Sequence, residues 1–306
     1  MRPHVELIDS ADLIWHPVEL PHSEGQLGKV LQRNLSYDEE NGAASTRVIF
    51  EEAWERPAGY HHADTEWYVL EGEVLVGDQV LRKGGYFRAP AGLAVPRMAA
   101  KAGTEALVFR EYGDFGFSRS EKNRTKYVPQ GGNTATDKPG FLTCVQEKDI
   151  AWQRNIYEGD SQRFLHVKFL YRDPSPEDDH TKGFVSLISY APPNWTDHKV
   201  AHHPVFEEAY TIYGDMDYNY GHITPGTYFF RPAKVKHGAF HAGPDKGTMW
   251  FFRLDGDLVN WVTEHPEVKV HGVPKNYDPD NPAQRPEIAG LPVRSRSIGP
   301  WDGAGR

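Results

Sequence analysis

Apolar and polar residues alternate along much of the chain with the two-residue period of β-strands. In residues 66–77 (EWYVLEGEVLVG), Trp67 and Val69 fall on one face of such a strand, and Tyr68 and Leu70 fall on the other. Both faces carry large apolar side chains, which is typical of a strand buried in a core. The pattern therefore predicts β-structure with little surface exposure in this part of the chain.

Turn residues punctuate these strand-like segments at short intervals. A Gly-Asp pair at Gly77 and Asp78 separates two of them and predicts a β-hairpin. Patterns with a helical period are scarce, and only residues 257–265 (DLVNWVTEH) predict a short helix, with Asp257 as its N-cap. Short strands with Gly and Pro turns predict an all-β sandwich or barrel.

The chain also repeats itself. A shift of 142 residues places residues 59–95 over residues 201–237 without a gap, and nine of the 37 positions are identical. Unrelated segments would share about two. The identical pairs are His61/His203, Glu66/Glu208, Tyr68/Tyr210, Gly72/Gly214, Gly84/Gly226, Tyr86/Tyr228, Phe87/Phe229, Pro90/Pro232 and Ala91/Ala233. The repeat predicts two copies of one domain.

Composition shifts set the expected boundaries of these domains. Residues 119–140 are polar and rich in Gly and Thr, so we expect a linker between an N-terminal domain at 1–118 and a C-terminal domain at 141–264. Residues 265–306 collect prolines that prevent regular secondary structure, which predicts an extended arm. An arm of this length favours contact with a partner subunit, and we expect a homodimer.

Charge and cysteine content narrow the functional classes. The 306 residues include 34 Lys and Arg against 43 Asp and Glu, a net charge of −9, which disfavours nucleic-acid binding. A single cysteine, Cys144, excludes an internal disulfide and suits a reducing compartment. No apolar run reaches the roughly 20 residues of a membrane span. We therefore expect a cytoplasmic protein that binds neither nucleic acid nor membrane.

The second copy contains two motifs whose spacing points to a metal site. In the first, three residues separate His203 from Glu207, and six more separate Glu207 from Gly214. In the second, five residues separate Gly226 from Pro232, and His237 follows. These spacings resemble the two motifs of the cupin superfamily, G-x5-H-x-H-x3-4-E-x6-G and G-x5-P-x-G-x2-H-x3-N.

The resemblance implies two tandem jelly-roll β-barrels, a bicupin, with metal ligands at His203, Glu207 and His237. The first histidine of the family motif falls on Ala201, so the fourth ligand is open between His202, His241 and water. Two imidazoles and one carboxylate suit Fe(II), which we favour, and also accept Mn(II), Zn or Ni.

Spacing supports the same ligand set independently of the resemblance. Residues four apart on one strand share a face, so we expect His203 and Glu207 to point the same way, and likewise His237 and His241. Glu208 is the alternative carboxylate, since a β-bulge would exchange it with Glu207. Strand alternation favours Glu207.

The N-terminal copy has lost most of these residues. The 142-residue shift places Thr65 opposite Glu207, Val95 opposite His237 and Ala99 opposite His241, which leaves only His61. His62 and Glu66 offer another register, but the ligand from the second motif is still absent. We expect no tight metal site in this copy, and a role in packing, dimer contact or substrate gating.

Together these features favour a metal-dependent cupin enzyme. The leading hypothesis is a non-heme Fe(II) dioxygenase that acts on a small organic molecule bearing oxygen atoms. Aromatic molecules are among the candidate substrates. His241, His202 and Tyr210 are the candidate catalytic residues for proton transfer. The alternatives are a metal-dependent lyase, isomerase or decarboxylase that uses no O2, and a non-catalytic bicupin that binds a small ligand or regulates another protein.

Overall fold

The computed structural model describes residues 2–18, 20, 28–111, 116–120, 134–136, 141–154, 165–173 and 175–263. These residues form β-strands and one short 3₁₀-helix at Glu147–Asp149, which confirms the all-β class. No helix in the described ranges has the length and apolar character needed to cross a membrane.

The strands are numbered in chain order. They are β1 (Val5–Asp9), β2 (His16–Pro17), β3 (Val30–Tyr37), β4 (Ala44–Phe50), β5 (Trp54–Arg56), β6 (Gly59–His61), β7 (Thr65–Glu71), β8 (Glu73–Val76), β9 (Gln79–Arg82), β10 (Gly85–Ala89), β11 (Met98–Ala100), β12 (Thr104–Arg110), β13 (Phe117–Arg119), β14 (Thr134–Thr136), β15 (Thr143–Gln146), β16 (Gln153–Arg154), β17 (His166–Asp173), β18 (Phe184–Ala191), β19 (Thr196–His202), β20 (Glu207–Gly214), β21 (Met216–Tyr218), β22 (Gly221–Ile223), β23 (Thr227–Arg231), β24 (His237–Ala242), β25 (Thr248–Leu254) and β26 (Trp261–Thr263).

The chain divides into two compact units, and the first contains residues 13–150. Its larger sheet has the strand order β15-β10-β7-β12-β4-β3-β2, and its smaller sheet has the order β5-β11-β8-β9. The core contains Phe50 and Trp67 from the larger sheet and Trp54 and Met98 from the smaller one. Each sheet thus buries one face in a shared apolar core, as in a jelly roll.

The second unit contains residues 3–12 and the described chain from residue 151 onward. Its larger sheet includes β1, β23, β20, β25, β18 and β17 in that order, and its smaller sheet has the order β22-β21-β24-β19-β26. Phe229 and Trp250 from the larger sheet share a core with Met216 and Tyr218 from the smaller one. The unit repeats the two-sheet arrangement of the first.

A buried Glu–Tyr pair occupies the same repeat position in both units. Tyr86 donates to Glu66 at 2.7 Å in the first unit, and Tyr228 donates to Glu208 at 2.5 Å in the second. The strands that carry them pair in the same register, with Glu66 opposite Arg88 and Glu208 opposite Phe230. The shift of 142 residues read from the sequence is therefore the structural register of these strands.

The first strand of the chain belongs to the second unit. β1 pairs antiparallel with β23 through a bulge between Val5 and Ile8, where Leu7 has a φ of 55°. Glu6 projects into the unit, and its carboxylate accepts hydrogen bonds from Arg231 Nε at 2.9 Å and Nη2 at 2.7 Å. A charged pair without solvent access thus fixes β1 to the C-terminal repeat.

Three local expectations have different outcomes. The hairpin at Gly77 is confirmed, since Val76 pairs with Gln79 across the turn. The helix predicted for residues 257–265 is wrong, because the chain from Trp261 to Thr263 forms β26 and pairs with β19. Most of the expected linker and all of the expected arm at 265–306 lie outside the described residues.

The domain boundaries differ from those expected in two respects. Residues 1–118 were expected to form the N-terminal domain, whereas residues 3–12 lie in the second unit and the first extends to Ile150. The first difference arises because β1 pairs with β23 and the second because β15 pairs with β10, and local composition reports neither pairing.

We expect Glu6→Gln to lower the free energy of unfolding by about 3 to 5 kcal/mol, because it leaves the buried Arg231 guanidinium without one of its two carboxylate partners. Burial raises the pKa of Glu6, but Arg231 together with the hydrogen bond from His4 outweighs burial and lowers that pKa to about 2, so the carboxylate is ionised at neutral pH. Urea denaturation measures the change.

The matched control is Glu51→Gln. The Lys29–Glu51 pair is 55% and 40% exposed, so its loss should change stability by no more than about 1 kcal/mol. Equal effects of the two substitutions would contradict the structural role assigned to Glu6.

Candidate metal centre

His203, Glu207 and His237 come together in the second unit, and all three are buried. One potential ligand atom from each lies within 4.8 Å of the other two. The His237 Nε2 is 2.7 Å from Glu207 Oε2, the His203 Nε2 is 3.7 Å from that oxygen, and the two Nε2 atoms are 3.2 Å apart. No other such cluster occurs among the described residues.

Three different elements bring these side chains together. Glu207 begins β20, His237 begins β24, and His203 follows the last residue of β19. His203 and Glu207 therefore do not share a strand, contrary to the spacing argument, because a turn containing Pro204 separates them. Glu207 rather than Glu208 faces the cluster, since Glu208 points to the opposite side of β20, where it contacts Tyr228 and Arg253.

Backbone carbonyls fix the orientation of both imidazoles. His203 Nδ1 lies 3.1 Å from the carbonyl oxygen of Val259, and His237 Nδ1 lies 3.0 Å from that of Val235. A carbonyl accepts but never donates, so each Nδ1 carries a proton and Nε2 is the ring nitrogen that each histidine directs at the cluster. This is the arrangement by which proteins orient histidine ligands of a metal ion.

Electrostatics makes a cation the natural occupant of this cluster. The two Nε2 atoms and the carboxylate oxygen face one another at short distance and would repel unless a proton or a metal cation lay among them. Burial lowers the pKa of His203 to about 4 despite the attraction of Glu207, so this ring stays neutral at neutral pH. Burial raises the pKa of Glu207, but the charges of His237 and Arg231 outweigh it and lower that pKa, so the carboxylate is ionised.

Arg231 connects this cluster to the first strand. Its Nη1 donates to Glu207 at 3.0 Å, while Nε and Nη2 donate to Glu6. Tyr218 also donates to Glu6. Two carboxylates, Glu6 and Glu207, thus face one guanidinium, and a cation bound at the cluster would balance the second of them. The residues present therefore fit a divalent metal ion.

A cavity of about 920 Å³, counting the space that opens to solvent, lies over the cluster. Its walls are mainly apolar, with Trp195, Phe229, Phe240, Trp250 and Phe252 among them. Its polar lining outside the cluster includes Ser189, Asp197, Lys199 and Asn260. The Trp250 indole N–H is buried and has no hydrogen-bond partner among the described residues. Such a cavity suits a small organic molecule with a limited number of polar groups.

The three predicted catalytic residues do not line this cavity. His241 is exposed, although His237 four residues earlier is buried, because Gly238 and Ala239 have φ of 146° and 56° and break the alternation of β24. It is therefore not placed to act as the fourth ligand.

His202 and Tyr210 also point elsewhere. His202 is half-buried and packs edge-on against Trp261 with ring centroids 5.3 Å apart. Tyr210 is buried three residues after Glu207, on the other face of β20, and its hydroxyl lies 3.0 Å from Ser10 Oγ.

The structure adds functional residues that sequence reasoning missed. Arg231 holds Glu207, Glu6 holds Arg231, and the Val259 carbonyl lies next to Nδ1 of His203. Asn260 and Val262 line the cavity from the segment predicted to be helical. The Pro232 motif flanks Arg231 and is the one signal that could have drawn attention to it.

In the first unit the equivalent cavity holds different chemistry. His61 and Thr65 line it, and Thr65 stands where the second unit has Glu207. Glu66 is engaged with Tyr86, and His62 is exposed with its Nε2 2.8 Å from Ser118 Oγ. His62 and Glu66, the ligands of the alternative register, therefore do not form a metal-binding cluster among the described residues.

Solved structures with the same fold include proteins of several activities. A protein from Nostoc punctiforme PCC 73102 named as a candidate dioxygenase is 20% identical, with a TM-score of 0.68 over 85% of this chain and 86% of its own. The Escherichia coli protein Ylba, of the family DUF861, is 15% identical, with a TM-score of 0.51 over 81% of this chain and 89% of its own.

Oxalate decarboxylase from Lactobacillus farciminis, in a formate complex, is 12% identical, with a TM-score of 0.50 over 85% of this chain and 88% of its own. At these identities the likeness shows a cupin fold and carries no activity with it. No curated protein matches the sequence. A family model, however, matches residues 6–261, and the chain accordingly belongs to the family described as Domain of unknown function (DUF4437).

Proposed function

We propose that this protein is a metal-dependent dioxygenase in which His203, Glu207 and His237 hold Fe(II) and the adjoining cavity receives a small oxygen-bearing organic substrate. The observation that carries the proposal is the convergence of two buried imidazoles and a carboxylate beneath an apolar cavity. Two histidines and one carboxylate leave coordination positions open on one side of the ion, as non-heme Fe(II) oxygenases require. The Nostoc protein of similar fold, named as a candidate dioxygenase, supports this choice.

A bound Fe(II) would supply the redox chemistry that allows O2 to react with an organic molecule, both oxygen atoms entering the product. The protein's own residues set the conditions for that chemistry. The carbonyls of Val259 and Val235 keep both Nε2 atoms directed at the cluster, where they would hold the ion, and Arg231 keeps Glu207 in place. A rigid ligand set of this kind binds its metal without reorganising.

The cavity would select and shield the substrate. Trp250, Phe229 and Phe252 exclude water from its inner part, while Lys199 and Asn260 offer polar contacts. The buried Trp250 N–H is positioned to donate to an oxygen of the substrate and is otherwise unsatisfied. An aromatic or aliphatic molecule that bears two oxygen atoms would satisfy both the apolar walls and these donors.

The first test is the metal content of ligand variants. We expect the purified protein to hold one metal ion per chain, and His203→Ala, Glu207→Ala and His237→Ala each to weaken binding by more than the roughly 10- to 100-fold that loss of an outer partner costs. Elemental analysis after anaerobic purification, followed by competition with a chelator, measures the loss.

His222→Ala is the matched control. His222 is only partly exposed, pairs with Asp217 at 2.7 Å and does not line the cavity, so its variant should keep the metal of the unmodified protein. Folded protein that binds no metal under any loading condition would reject the proposed site.

The second test concerns the reaction. Fe(II)-loaded protein should consume O2 in the presence of at least one member of a panel of aromatic diols, diketones and hydroxy acids, and ¹⁸O₂ should place both atoms in the product. The rate should fall to background in His237→Ala and stay unchanged in His222→Ala. Turnover of the panel with metal but without O2 would replace the dioxygenase by a lyase, isomerase or decarboxylase at the same site.

A further inference from the structure

The first unit contains a cavity of its own, of about 580 Å³ including the space that opens to solvent. Its lining includes Arg56, His61, Thr65, Trp67 and Phe117. None of its lining residues is Asp or Glu. The cavity thus combines two arginines, Arg56 and Arg110, with apolar walls and has no acidic side chain in its described lining; Arg110 donates through Nε and Nη2 to the Gly42 carbonyl.

Arg56 is the unusual group in this cavity. It is only 3% exposed, and the described residues provide no carboxylate within ion-pair distance of its guanidinium. Its Nη2 donates to His61 Nε2 at 3.1 Å and to Met98 Sδ at 2.8 Å. Its Nε has no hydrogen-bond partner in the part of the chain that the structure describes. The guanidinium also lies 4.1 Å from the centre of the Phe117 ring.

This environment leaves a positive charge without an anion. Burial lowers the pKa of Arg56 to about 9, which keeps the guanidinium protonated at neutral pH. Burial and the charge of Arg56 lower the pKa of His61 well below its usual value, so His61 is a neutral acceptor that provides no counter-charge. A buried, unpaired charge is among the most unfavourable groups in a protein interior. A bound anion beside Arg56 would remove this cost.

In the second unit, a buried arginine has carboxylates of the protein itself as its counter-charges. Arg231 is also buried, but it lies between the carboxylates of Glu6 and Glu207. In the first unit, Thr65 occupies the position of Glu207 and removes that source of negative charge. The first cavity therefore lacks a carboxylate at the position that serves Arg231 in the second unit.

A second donor points to the same occupant. Trp67 is 2% exposed and lines this cavity, and its indole N–H has no partner among the described residues. Val48, Val108 and Phe117 form apolar walls beside it. A guanidinium and an N–H against apolar walls match a carboxylate attached to a small apolar body, whereas an inorganic anion would leave those walls in contact with water.

We propose that the N-terminal unit binds a small organic carboxylate, without a metal, through the guanidinium of Arg56.

Benzoate and its neutral isostere benzamide test this proposal by calorimetric titration of the full chain. Benzoate should bind the first unit with a stoichiometry of one. Benzamide should bind at least about tenfold more weakly, because its uncharged amide cannot form an ion pair with a guanidinium. The titration is repeated in the double variant His203→Ala, His237→Ala. Binding that survives there belongs to the first unit, so this result is independent of the metal centre in the second.

Arg56→Met should weaken benzoate binding by about 10- to 100-fold. Arg97→Met is the matched control, since Arg97 is 60% exposed, pairs with Glu55 and lies outside the cavity, and its variant should bind as the unmodified protein does. Arg56→Lys, which retains the charge but not the fork of donors, should fall between the two.

Thermal unfolding without ligand separates a binding role from a structural one. If Arg56 exists to hold a ligand, Arg56→Met should match or exceed the Tm of the unmodified chain, because an apolar side chain replaces an unpaired charge. A lower Tm with unchanged benzoate affinity would overturn the proposal. Equal affinity for benzoate and benzamide, or binding of inorganic phosphate in place of benzoate, would overturn it as well.

Discussion

The ion pairs of one buried arginine organise the C-terminal unit. Arg231 donates to Glu6 through Nε and Nη2 and to Glu207 through Nη1, so a single planar group aligns the first strand and the carboxylate of the candidate metal centre. The fork of donors suits this task because it fixes two acceptors in one plane. Glu207 is ionised and held in place by Arg231, and a cation at the cluster would balance its charge. Stability and metal affinity in this unit therefore depend on the same contacts.

The features of the fold that depend on local pattern could be predicted from the sequence. Strand period and turn residues identify the hairpin at Gly77, and the repeat identifies the common Glu–Tyr pair. Motif spacing brings His203, Glu207 and His237 to attention, and the structure places their side chains together. The prediction that His241 shares a strand face with His237 was wrong, because the positive φ values of Gly238 and Ala239 break the alternation of the strand.

Features that depend on contacts between residues far apart in the chain could not be predicted from the sequence. Glu6 and Arg231 are separated by 225 positions, and no pattern near either residue predicts their contact. The segment after Asp257 has a short amphipathic pattern suitable for a helix, yet pairing of Trp261 and Val262 with β19 makes it a strand. Tertiary pairing overrides weak local preference in such short segments. The Val259 carbonyl that orients His203 belongs to this stretch and was missed with it.

The membership of residues 3–12 in the second unit has a consequence for the order of folding. During synthesis, β1 emerges more than 200 residues before Arg231, and its hydrogen-bonding edge has to wait for a partner strand that is not yet made. Contacts of such long sequence separation close large loops and slow the final stage of folding. The larger sheet of the C-terminal repeat would thus be completed last, by β1, which is the first of its strands to be synthesised.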